Sequence, residues 1–575
     1  MNNDEQIPLW RSAAFDLLDG AFGDLMARLD PGRPCVALAA ALVSRGRAAG
    51  HVCWTLGSEL VLKTEGAEGQ EFALPSEKEW RAGLAGSPLV GRPGDFAPLI
   101  LDEAGRLYLH QLHAVEGKLA EAISRRAAAG SSQLDMKRLE TFLGGLMAGN
   151  SLNAKQRDAV VTACASPLTI LTGGPGTGKT HTAVRMIAAG IILDLVQPER
   201  IRLAAPTGKA AARLQEKLDQ ELGALLGDAA RAAAVPKAST LHRLLGASAV
   251  GTRFARDQKN PLEADWVLVD EVSMVGMEMM WRLFDATVPA KKVILIGDSN
   301  QLESMEVGAV LAELVRAGNA GVVVSLQENL RVETESAGLL ALASAVNEGS
   351  VDKLLAGLQS GIWPEVKLHS LSGPQRLKEL IEETAGQFYR ARDAKTPEQA
   401  LAEYGESKVL CALRHGPSGS LHFNNLVEQK VAHGEKEKVG GYHGRPVMVS
   451  KNNYSTGIFN GELGVVWRGE NGMAAMFPGE GGQLRSVPLS SLPAHETAFA
   501  LTVHKGQGSE FDRVHFVLPL EDSPVLSREL IYTAVSRARN ALQIWGPEKV
   551  LATAVARPGR RHSGLGARLV ASRGN

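Results

Sequence analysis

The segment Gly173-Gly-Pro-Gly-Thr-Gly-Lys-Thr180 constrains the fold more than any other stretch of this chain. It follows the apolar run Leu168–Thr172 and precedes a helical run from His181 to Ala189. A glycine-rich turn in that position makes a phosphate cradle. The glycines let backbone N–H groups turn inward, and the helix N-terminus adds its partial positive charge. Such a turn belongs at the C-terminal edge of a parallel sheet, so strands and helices should alternate around it.

They do alternate. Ile201–Ala205, Trp266–Val269, Lys292–Ile296 and Val322–Leu326 are short apolar runs separated by helical stretches. Unbroken apolar strands between helices predict a parallel sheet covered on both faces. A second set, Lys408–Leu413, Phe499–Val503, Val514–Leu518 and Leu542–Trp545, predicts a second α/β domain of the same kind. A chain of 575 residues is too long for one hydrophobic core. The pattern divides it into a mainly helical N-terminal domain (1–130) and a first α/β domain (131–325) with a hairpin at about 246–264. A second α/β domain follows, assembled from 326–434 and 498–556. Residues 435–497, rich in glycine and short strands, read as a small β-barrel insertion. The tail 557–575 is basic, with five arginines between Arg557 and Arg573, and reads as a solvated or partner-bound end in preference to a DNA contact.

Composition removes several function classes. The net charge is −1, so any nucleic-acid contact must run along local basic tracks. The four cysteines form no C-x-x-C pair and have no histidine cluster beside them, which argues against structural zinc or an iron–sulfur centre and suits a reducing, cytoplasmic setting. No apolar run is long enough for a bilayer, and the polar, acidic N-terminus does not resemble a signal peptide.

Chemistry concentrates at sheet edges. In the cradle, Gly173, Gly174, Pro175, Gly176, Thr177 and Gly178 would wrap phosphate oxygens. Lys179 would reach the β- and γ-phosphates of ATP, and the Thr180 hydroxyl would ligate Mg²⁺. The strand Trp266–Val269 runs into Asp270 and Glu271. Asp270 would hold the metal and Glu271 would orient the attacking water. Gln301, in Gly297-Asp-Ser-Asn-Gln-Leu302, is placed to sense the γ-phosphate from a third strand edge. Arg331 and Arg537 are candidates to neutralise phosphoryl charge across a cleft.

These motifs occur in a fixed order: Leu152–Gln156, the cradle, Ala205–Arg213, Asp270-Glu271, Gly297–Leu302, Arg331, Thr502–Glu510 and Tyr532–Arg539. The series resembles the helicase motifs of superfamily 1 over residues 150 to 545. Thr240–Gly246, Val409–Arg414, Gly444–Val449 and Phe459–Gly464 are most similar to the RecD family, as are Ala49–Cys53 and Leu107–His110 near the N-terminus.

That resemblance implies two RecA-like P-loop domains, an SH3-like insertion, and an N-terminal domain that docks partners. It implies an ATP-dependent 5′–3′ DNA helicase subunit of a RecBCD-type complex, acting with RecB-like and RecC-like subunits on single-stranded DNA at duplex ends. Exonuclease activity would belong to the complex. The alternative is an ATP-gated assembly subunit that does not translocate. The resemblance also assigns adenine recognition to Gln156, whose amide can donate and accept at once, and puts Glu510 at the nucleotide. Thr207, Lys209, His242, Asn452, Thr502 and His504 become candidate DNA contacts. The chain departs from the family pattern at Glu303, Leu330, Asn453 and Gly506.

Overall fold

The computed structural model describes residues 8–63, 71–130, 133–149, 151–248, 253–304, 306–318, 322–327, 337–369, 374–431, 441–451, 453, 457–470, 472–479, 483–559 and 561–572. Two parallel sheets organise it. The first has the strand order Val323–Leu326, Leu168–Gly173, Lys292–Gly297, Trp266–Val269, Ile201–Ala205, Ser239–Thr240. Every pairing within it is parallel. Its central strands are fully buried, which is why they read as continuous apolar runs and not as alternating ones.

The second sheet has the order Val366–His369, Ala538–Trp545, Phe511–Val517, Ser407–Cys411, Ala500–Thr502, again wholly parallel. Val366–His369 is an edge strand that the periodicity did not reveal. It is short and half-polar, so it lacks the apolar signature of a central strand.

Between Ser407–Cys411 and Ala500–Thr502 the chain builds a five-stranded antiparallel sheet, ordered Leu484–Pro488, Gly472–Pro478, Leu463–Gly469, Pro446–Val449, His495–Thr497. The pairings among the described residues do not close this sheet into the barrel expected there. At the expected hairpin, the described pairing is one antiparallel bridge between Ala247 and Phe254.

The N-terminal region mixes helices with a small sheet. Helices Leu17–Leu29 and Pro34–Ala48 pack beside strands Cys53–Thr55, Val90–Gly91, Leu99–Leu101 and Arg106–Leu109. Its last helix, His110–Ala128, leaves that body and enters the first motor core. Val115, Leu119, Ala120 and Ile123 share one buried cluster with Met280, Leu283 and Phe284 of the helix Met277–Ala286. Arg126 extends the junction by donating to Ala290 O at 2.8 Å and to Thr287 O. The Ala/Gly/Ser-rich stretch that begins at Ala127 thus starts inside a helix already committed to the motor.

The basic tail corrects the reading of a solvated or partner-bound end. Arg557 pairs with Asp522 and donates to Ser523 O at 2.8 Å in the second domain. Arg561 pairs with Glu303 at 3.2 Å and donates to the carbonyls of Ser304 and Glu306 in the first. His562 N donates to His51 Nδ1 at 2.9 Å, and Arg568 pairs with the fully buried Glu116 at 3.0 Å. Cations that meet carboxylates and loop carbonyls inside the chain have less reason to stay in water. Among the described residues, no helix is long and apolar enough to cross a membrane.

Candidate active site

The cradle forms as the sequence requires. The strand ends at Gly173, and the helix Lys179–Ile192 begins after Gly178, whose φ of 79° is the left-handed conformation that favours glycine. A Cβ at Gly173 would stand 2.8 Å from Leu326 O and from Thr177 Oγ1, so a side chain there would break the turn. Lys179 Nζ donates to Gly173 O at 2.6 Å and Gly174 O at 2.9 Å, which keeps the ammonium over the loop.

Asp270 and Glu271 stand beside it. Thr180 Oγ1 lies 3.4 Å from Asp270 Oδ2, which brings the two candidate metal ligands together. Burial, and next the charge of Glu271, push the Asp270 carboxyl up to about 6. Glu271 has a φ of 53°, rare for a residue with a side chain, and its N–H donates to Asp270 Oδ1 at 2.8 Å. Backbone strain of this kind costs roughly 1–3 kcal/mol and persists where surrounding structure imposes it. Gln301 is buried, and its Nε2 donates to Asp298 Oδ2 at 3.1 Å.

These groups line a cleft of about 390 Å³ between the two parallel sheets. The first domain supplies Pro175, Lys179, Thr180, Arg213, Asp270, Glu271 and Gln301, and the second supplies Gly508, Glu510 and Arg537. Arg537 is 3% exposed. It donates to Thr533 O at 3.1 Å, Ser509 O at 3.2 Å and Ser536 Oγ at 2.9 Å. No carboxylate pairs with it among the described residues. A buried guanidinium held by neutral acceptors, lining the same cleft as the cradle, has the chemistry to meet an anion.

Glu510 is tied to Arg539 at 3.3 Å and to Arg213 at 3.8 Å, so it bridges the two domains at the cleft wall. Gln156 is buried in a capping box with Asn153, and its Nε2 donates to Thr177 O at 3.1 Å. The amide expected to read adenine therefore also braces the cradle.

Among the described candidate DNA residues, none is exposed. Thr207 caps the helix Gly208–Leu226. Lys209 lies under the second domain, with Nζ donating to Ser509 Oγ at 2.7 Å, and burial lowers its ammonium to about 8. Thr502 is buried at a strand end, and burial together with the charge of Arg561 lowers the His504 imidazole. His242 faces the Phe254 ring at 6.2 Å. Asn452 and Arg331 lie outside the described residues. Two departures from the family pattern acquire physical reasons. Glu303 meets Arg561, and a Cβ at Gly506 would press to 3.1 Å against Leu410.

Sequence reasoning missed Asp298, Tyr532 and Arg213 as individual site residues. All three stand inside quoted motifs, but their partners lie in the other domain or in a distant loop.

The family profile "RecBCD enzyme subunit RecD, N-terminal domain" matches residues 12–108, an AAA domain profile matches 156–307, and a UvrD-like helicase C-terminal domain profile matches 497–544. The RecBCD enzyme subunit RecD of Mycolicibacterium smegmatis is 37% identical over 93% of this chain and 93% of its own length. The chain belongs to the RecD family. A second RecD, from Mycobacterium tuberculosis, is 38% identical over 93% of the chain and 91% of that protein. The ATP-dependent RecD2 DNA helicase of Deinococcus radiodurans is 32% identical over 78% of the chain but 56% of its own length. The RecD family N-terminal profile thus covers the very segment that carries no cradle or acidic strand edge.

Proposed function

We propose that the cleft binds ATP with Mg²⁺, and that hydrolysis drives the chain 5′ to 3′ along single-stranded DNA as the helicase subunit of a RecBCD-type complex in recombinational repair. The observation that carries this reading is Arg537. A buried, carboxylate-free guanidinium from one parallel sheet faces the phosphate cradle of another. Its grip on a phosphate depends on how closed the cleft is, so nucleotide state and domain position become one equilibrium.

Within that reading, Lys179 holds the β- and γ-phosphates and the cradle N–H groups wrap them. Glu271 takes the proton from the attacking water, Gln301 positions that water or the γ-phosphate, and Arg537 offsets charge as the bond breaks. Thr180 and Asp270 fit Mg²⁺, being hard oxygen donors side by side at the cradle, and would hold it there. The ion would neutralise charge on the bridging phosphate oxygens.

The N-terminal domain supports a docking role toward RecB-like or RecC-like subunits. Leu18, Leu25 and Leu29 form one exposed apolar stripe on the helix Leu17–Leu29. Any exonuclease step is assigned to the complex. A cytoplasmic setting belongs to the same proposal. The test is unwinding by the full chain of duplexes with a 5′ or a 3′ single-stranded tail. ATP-dependent unwinding from the 5′ tail is expected. Unwinding from the 3′ tail would overturn the direction, and no DNA-stimulated ATP hydrolysis at all would overturn the motor.

A further inference from the structure

Another residue of the second domain reaches the phosphate cradle, and it carries no charge. Tyr532 lies on the helix Arg528–Val535 and is 2% exposed. Its hydroxyl donates to Asp298 Oδ2 at 3.1 Å, across 234 residues of sequence. It stands so close to the cradle that a Cβ on Gly174 would be 3.0 Å from it.

Asp298 is itself a junction. The carboxylate is 1% exposed, and the oxygen that accepts from Tyr532 also accepts from Gln301 Nε2 at 3.1 Å. Its other oxygen accepts from Asn300 N at 3.0 Å. The next residues are gripped by the second domain as well. Leu302 N donates to Thr533 Oγ1 at 2.7 Å, and Gln507 Nε2 donates to Leu302 O at 2.7 Å. The loop that presents Gln301 to the cleft is therefore held from behind by a helix of the opposite domain.

Resting on the proposed ATP site, we infer that Tyr532 is a positioning residue that makes hydrolysis conditional on closure: its hydroxyl bonds Asp298 in the closed cleft, and Asp298 in turn fixes the Gln301 amide toward the γ-phosphate. Opening the cleft withdraws the phenol. Asp298 then loses one of its donors, and the Gln301 amide loses a fixed anchor. A buried carboxylate short of a donor is costly, so the loop rearranges instead of holding its geometry. Arg537 senses charge on the nucleotide directly, whereas Tyr532 acts through the first domain's own loop.

The test is steady-state ATP hydrolysis by the full chain with saturating oligo-dT, comparing Tyr532→Phe, Gln301→Ala and the double variant. Phenylalanine keeps the buried ring and removes one hydroxyl. Turnover should fall roughly tenfold to a hundredfold in each single variant, with KM for ATP changed less than about threefold. The double variant should be no slower than Gln301→Ala, because both changes break one chain of bonds. A merely structural tyrosine would lower the melting temperature and leave turnover unchanged. That result, or multiplying losses in the double variant, overturns the inference. Glu271→Gln in parallel separates the failures. If it abolishes hydrolysis while Tyr532→Phe leaves turnover unchanged, the ATP site stands and the latch falls.

Discussion

Arg537 and Arg539 are two residues apart and have opposite fates. Arg539 is about half exposed and pairs with Glu510 at 3.3 Å and Asp512 at 3.6 Å, so solvent screens its end of both pairs. Arg537 is buried against neutral acceptors and faces the cleft. Arg537→Ala should lower DNA-stimulated turnover by about 10³-fold or more, as removal of arginines that reach a phosphoryl group from another domain does elsewhere. Arg537→Lys should restore folding stability but only part of the turnover, since an ammonium cannot reproduce the fork of donors. Arg539→Ala should be mild. Equal, small effects in ATP-turnover assays would remove the coupling role. At this scale the sequence is informative where the signal is local. Lys179, Thr180, Asp270, Glu271 and Gln301 come together as their spacing from strand ends requires. Tyr532 and Asp298 were invisible as a pair, because neither residue type is unusual and only the tertiary fold brings them together.

Among elements, the helix His110–Ala128 shows how a boundary can mislead. It follows the N-terminal sheet directly and precedes an Ala/Gly/Ser-rich stretch, so the sequence assigns it to the N-terminal domain. Its apolar face instead completes the first motor core. Leu119 is fully buried there. Leu119→Ala should therefore destabilise the motor, by about 2–5 kcal/mol, although it lies outside every nucleotide motif. Thermal unfolding followed with and without ATP checks this. A variant that weakens docking of partner subunits but leaves the motor's melting temperature unchanged would return the helix to the N-terminal domain. The central strands were legible because burial on both faces makes them continuously apolar. The edge strand Val366–His369 was not, and neither was the pairing order of the antiparallel insertion, which depends on register and not on composition.

At the scale of the whole molecule, three bodies meet at two places. The nucleotide cleft joins the two parallel sheets, and the C-terminal tail ties both of them to the N-terminal domain through Arg557, Arg561 and His562. The tail's anchor on the first domain, Glu303, lies two residues beyond Gln301, so one loop faces nucleotide, second domain and tail together. The proposed ATP hydrolysis takes place at the cradle that shares its cleft with Arg537. The most direct measurement is single-stranded-DNA-stimulated ATP hydrolysis by Lys179→Gln beside the unchanged protein, with circular dichroism on both. Glutamine keeps similar length and removes the charge that bridges the β- and γ-phosphates. Loss of hydrolysis with an unchanged dichroism spectrum is the predicted result, and near-normal turnover in the variant would contradict it.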